Sequence, residues 1–144
     1  MMYKLLAKDN EQVLCSVQAI HQSVTLSSLT INLSYTPDSK EPIPVQAVKA
    51  STLEKVIEWM EKHKSEPRVE QGRPADQVVI GEWDERFLAG LDKQEMFDLI
   101  CAANYLEVQG LMEMACVKAA VWIQENNPQD IGDNWDRVSR LLRD

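Results

Sequence analysis

Apolar and polar positions alternate at the start of this chain and change to helical spacing after about residue 50. Tyr3, Leu5 and Ala7 alternate with Lys4, Leu6 and Lys8. Asp9-Asn10 is a turn signal, and Val13 to Cys15 begins a return run, so residues 3–16 are predicted to form a hairpin. Val24, Leu26, Leu29 and Leu33 suit a short helix, which the intervening Thr and Ser residues weaken. Residues 35–41 read as a polar loop around Pro37. Pro42-Ile43-Pro44-Val45 fits a short extended edge segment, because proline donates no ladder hydrogen bond.

The second half is helical in pattern. Ser51 and Glu54 stand at capping-box spacing. Leu53, Val56, Ile57 and Met60 then repeat as a buried stripe, predicting a helix from about Ser51 to His63. Residues 66–80 hold Pro67, Gly72, Pro74 and several charges, and are expected to form a solvated, mobile loop. Trp83 and Phe87 lie one turn apart in a short helical piece. Asp92 and Glu95 make a second capping box, and the helix they open carries Met96, Leu99, Ile100 and Ala103 on one face. Trp83, Phe87, Leu99 and Ile100 are expected in the core.

Another helix is predicted from about Val108. Between Ala115 and Ile123 its only charge is Lys118, so it is apolar nearly all round. A surface helix needs only one apolar stripe. This one is therefore expected either at the centre of the core or partly covered by another chain. Asn127-Pro128 then suits a cap and first helical position. Ile131, Trp135, Val138, Leu141 and Leu142 follow in the tail, the last four at helical spacing. The fold class is α+β: a small early sheet, then helices.

A net charge of −8 at pH 7 and a pI of about 4.8 disfavour a phosphate backbone as partner, so no nucleic acid is expected. Arg68 and Arg73 are isolated and form no basic cluster. No apolar run reaches membrane-spanning length, and residues 1–9 break into charge too soon for a signal peptide, so an intracellular protein off the membrane is expected. Cys15, Cys101 and Cys116 are odd in number and far apart, and read as reduced thiols rather than a disulfide framework or metal knuckle. There is no P-loop, G-x-G-x-x-G or H-E-x-x-H. His21 and His63 lie in no readable cysteine, serine or carboxylate constellation, and His63 is accounted for as a helix-ending cation. No cofactor, metal or catalytic activity is expected. Asn104-Tyr105 is the polar pair that stands out, placed where an amphipathic helix stops. A helix C-terminal cap with a half-buried ring and a docking site both fit it.

Several words carry a resemblance. They are Gln22-Ser23-Val24-Thr25, Ile43-Pro44-Val45, Leu53 to Trp59, His63-Lys64, Trp83-Asp84-Glu85-Arg86-Phe87-Leu88, Phe97-Asp98-Leu99-Ile100, Ala102-Ala103-Asn104-Tyr105-Leu106 and Gly110-Leu111. In this order and spacing the chain resembles the S-phase kinase-associated adaptors of SCF-type ubiquitin ligases, over roughly residues 3–131. The resemblance implies a BTB/POZ fold over residues 1–126 and a short helical extension over 127–144. It implies cullin binding by Asn104 and Tyr105, and F-box binding or self-association by Leu111, Ala119, Trp122, Ile123, Ile131 and Trp135. It further implies cytoplasmic and nuclear residence.

After Ile131 the chain departs from the family's usual Thr-Phe-Asn-Ile-like element, acidic stretch and final tryptophan-containing helix. Residues 30–40 also lack the usual acidic loop. Part of the F-box clamp is thus missing or rebuilt, and Trp135 fits either a lid on that surface or a second grip on a partner. A homodimer built on this altered face is the alternative.

Overall fold

The hairpin forms as its alternation predicts. In the computed structural model, which describes residues 2–70 and 72–125, β1 (Met2–Ala7) pairs antiparallel with β2 (Gln12–Ser16), with Leu5 opposite Val13 and Tyr3 opposite Cys15. Asn10 takes the left-handed conformation that closes the turn. β3 (Ile43–Val45) adds in parallel on the other side of β1, giving the order β2-β1-β3. Pro44 is exposed on this edge strand, while Ile43 and Val45 turn inward with Leu5, Ala7, Val13 and Cys15. Those six side chains are the sheet's contribution to the core.

The mixed segment is a helix, α1 (Val24–Asn32), started by Ser23, whose side chain accepts a hydrogen bond from the Leu26 amide. Leu26 is the only residue of α1 that is buried, which explains why its stripe reads so weakly. α2 (Ala50–Lys62) buries Leu53, Val56, Ile57 and Met60 as expected. Its start differs from expectation. The helix begins before Ser51, so Ser51 and Glu54 form no capping box, and Lys49 at the cap position makes no side-chain bond to the helix amides. The Ala50 amide instead donates to Asp9 Oδ1 in the hairpin turn, at 3.1 Å. The sequence offered a local cap, and the fold supplies one from 41 residues away.

α3 (Glu82–Ala89) and α4 (Lys93–Leu106) follow. The Asp92–Glu95 capping box forms in both directions, at 2.8 and 3.1 Å. Leu99 and Ile100 are buried, whereas Trp83 and Phe87 are half-buried at the margin of the core, their rings stacked at 5.1 Å. The expectation of core residues therefore holds outright for Leu99 and Ile100, while Trp83 and Phe87 pack against the core from its margin. α5 (Gln109–Glu125) packs on α4, and α2 lies against α4, β1 and β2. The expected extension over residues 127–144 lies outside the described residues.

Candidate protein-docking site

Asn104 and Tyr105 both face solvent at the end of α4, and Tyr105 is 47% exposed. Their neighbours Ala102, Ala103 and Leu106 point into the core. The backbone beneath the pair is clamped from α1. Ser23 Oγ donates to the Leu106 carbonyl, Thr25 Oγ1 donates to the Tyr105 carbonyl at 3.2 Å, and the Val24 amide donates to the Glu107 carbonyl at 3.2 Å. Thr25 Oγ1 also lies 2.8 Å from Glu107 Oε1. The last carbonyls of a helix lack intrahelical partners. Here the start of α1 supplies them, so the words Gln22-Ser23-Val24-Thr25 and Ala102 to Leu106 are two halves of one clasp. The sequence showed both words but not that they touch, because the bonded residues lie 80 and 83 positions apart.

The chain reverses immediately after this pair. Glu107 is left-handed, with φ 55°, and the Val108 amide returns to the Ala103 carbonyl at 2.9 Å. α5 then runs so close to α2 that a Cβ on Gly110 would stand 2.8 Å from Trp59 Cη2. This contact accounts for the glycine of Gly110-Leu111. Leu111 is fully buried and Ala119 nearly so, in this chain's own core. Both lie on the inward face of α5. Val121 and Trp122 are exposed at the far end of α5, with Ile123 part-exposed beside them. Ile131 and Trp135 lie outside the described residues.

His63 needs a correction. It does lie among carboxylates: Nδ1 is 2.7 Å from Glu66 Oε2 and Nε2 is 2.7 Å from Asp84 Oδ1. The ring stacks on Trp59 at 4.2 Å and meets the Trp83 ring edge-on at 6.2 Å. His63 and Asp84 are buried. The ring is held at both nitrogens and stacked on one face, which suits a brace between α2 and α3. The spacing hid it because Asp84 is 21 residues away.

Arg68 and Arg73 are likewise engaged. Arg68 donates to the His21 carbonyl and to Glu70, and Arg73 holds Glu113 of α5 through Nε and Nη2. The Glu113 hydrogen bonds raise the Arg73 guanidinium above its ordinary range. Gln22 Nε2 donates to the Glu66 carbonyl at 3.0 Å, so the stretch after α2 is tied to the body at several points.

Burial pushes the Cys15 thiol up to about 12, with Glu61 adding to it, and the Cys116 thiol up to about 11, with Cys101 adding to it. Such thiols are packing groups rather than nucleophiles. Among the described residues no three His, Cys, Asp or Glu side chains converge as a metal site, and no helix is long and apolar enough to cross a membrane.

A small hairpin sheet with one parallel edge strand and a helical body define a POZ-class α+β domain, with an outward Asn-Tyr pair on a clamped helix end. The Skp1 family, tetramerisation domain, matches residues 1–65. A Skp1-related protein of Caenorhabditis elegans is 37% identical over 134 residues, covering 89% of this chain and 76% of the relative. The E3 ubiquitin ligase complex SCF subunit sconC of Arthroderma benhamiae is 34% identical over 131 residues, covering 88% and 77%. The sconC subunit of Talaromyces stipitatus is 36% identical over 97 residues, covering 65% and 60%. The chain belongs to the Skp1 family.

Proposed function

We propose that this chain is a non-catalytic adaptor subunit of an SCF-type ubiquitin ligase. In this reading Asn104 and Tyr105 dock the N-terminal domain of a cullin scaffold. The far end of α5, with Trp122 and Ile123, together with the segment carrying Ile131 and Trp135, receives the F-box of a substrate receptor. The observation that carries the reading is the outward Tyr105 on a backbone held rigid from α1. A held backbone leaves only the ring's own torsions to be fixed on binding, and tyrosine joins a large apolar area to a polar tip. The mechanism is bridging and positioning, with no bond made or broken by this chain, in cytoplasm and nucleus. Relatives named as SCF subunits support the same reading.

The test is binding of purified chain to an immobilised cullin N-terminal domain. Tyr105→Lys is expected to abolish it while the thermal transition stays in place. Retained binding by the folded variant would overturn the assignment. Co-purification with an F-box protein tests the other end. The rival use of that end is a homodimer, which the exposure of Val121 and Trp122 also fits. Light scattering separates them: a concentration-independent monomer that captures an F-box protein excludes the homodimer.

A further inference from the structure

Residues 72–81 cross the first turns of α5 as a strap. Arg73 holds Glu113 through Nε at 2.8 Å and Nη2 at 2.7 Å. A Cβ on Gly72 would stand 3.1 Å from Gln109 Nε2, so the strap runs directly against the helix. Gly110, Glu113, Met114, Val117 and Val121 fall on one stripe of α5 by helical spacing. The first three are buried, Val117 is part-buried and Val121 is exposed, so burial along the stripe falls away beyond the strap.

The strap fits its seat imperfectly. Between it and the ends of α2, α3 and α5 lies a cleft of about 700 Å³, lined by Trp59, Trp83, Val69, Val79, Gly110 and Met114 among others. Val79, an apolar residue of the strap, is 73% exposed at this cleft and fills little of it. Both Arg73 bonds go to Glu113 Oε2, whereas a guanidinium that meets a carboxylate squarely bonds both oxygens. Glu113 Oε1 is buried with no hydrogen-bond partner among the described residues, and so is Trp59 Nε1. Buried polar atoms left unpaired oppose the closed arrangement. The strap thus meets the charge of Glu113 and leaves volume, one acceptor and one donor unmet.

We propose that the strap is a built-in competitor, and that its seat along α2 and α5 is a docking groove for an extended partner segment carrying one arginine beside large apolar side chains. The arginine of that segment takes both oxygens of Glu113, its apolar side chains fill the cleft, and a backbone carbonyl accepts from Trp59 Nε1. The planar fork of arginine suits a buried carboxylate, where lysine offers only a point charge. The chain's net charge of −8 draws a basic segment towards it. A tethered strap competes at an effective concentration on the order of millimolar, so the groove admits only ligands whose own affinity is much better than that. The proposal does not rest on the adaptor reading, because Arg73, Glu113 and Trp59 have no part in the contacts assigned to a cullin or an F-box.

The experiment offers the full chain a fluorescent peptide copying residues 72–82 and reads binding by anisotropy. Arg73→Ala in the host unlatches the strap and leaves Glu113 in place. That host is expected to bind the peptide at least about tenfold more tightly than wild type, whose seat is taken. A peptide with Val79→Phe should bind tighter still, and one with Arg73→Glu should not bind. Hydrogen exchange of the strap amides should speed up about tenfold in the Arg73→Ala host while those of α4 keep their rate. Equal binding by both hosts, or binding by neither, overturns the groove. Glu113→Gln provides a second host with no buried charge left behind, expected to release the strap and to bind the peptide no better than wild type. Should Arg73→Ala fail to fold, strap exchange in Glu113→Gln decides, and a wild-type rate there overturns the proposal.

Discussion

Two polar groups sit at the ends of helices in this domain and meet opposite fates. At the end of α2, His63 is turned inward, held by Glu66 and Asp84 and stacked on Trp59. At the end of α4, Asn104 and Tyr105 are turned outward, and the bonds around them are made by their backbone. In sequence both look like polar residues closing an amphipathic helix. What separates them is whether another element brings partners for the side chain. α3 brings Asp84 to His63. α1 brings Ser23 and Thr25 to the α4 carbonyls and leaves the side chains of the pair facing solvent.

Substitutions can break this contrast at graded cost to stability. Asp84→Ala strands one nitrogen of a buried ring and is expected to lower stability by about 3–4 kcal/mol, read as a shift of the urea midpoint. A shift below about 1 kcal/mol would show that the inward group behaves like a surface one. Leu111→Ala removes a fully buried side chain of the inward α5 face. It should cost about 3 kcal/mol and, on the proposed adaptor reading, leave capture of an F-box protein by the folded fraction unchanged. A specific loss of that capture at unchanged stability would make Leu111 a contact residue.

Gly110→Ala presses a methyl group against the rigid Trp59 ring. Overpacking of about 2 kcal/mol is partly offset by the helix preference of alanine, about 1 kcal/mol, for a net loss of about 1 kcal/mol by thermal melting. Tyr105→Lys should change stability least, by under about 0.5 kcal/mol. A large loss there would mean that the ring supports the fold rather than a partner.

Periodic segments were legible because burial follows one face. The stripe of α2, the Asp92–Glu95 box and the hairpin alternation all map directly onto structure. Features that depend on distant residues were not. His63 with Asp84, Ser23 with Leu106 and Arg73 with Glu113 each join segments with no sequence rule between them. α5 was legible only in part, for a related reason. An all-round apolar helix announces that it is covered but not by what, and its Leu111 and Ala119 prove to be covered by this chain itself.

The Asp9 bond to Ala50 also bears on how the chain reaches its fold. Helix nucleation is unfavourable, and a helix of 13 residues is marginal in isolation. α2 acquires its first capped amide only once the hairpin turn has closed and come to rest against it. The first turn of the central helix is therefore expected to be completed only when that long-range loop closes. A peptide spanning α2 alone should fray from its first turn, and Asp9→Ala should slow refolding of the whole domain.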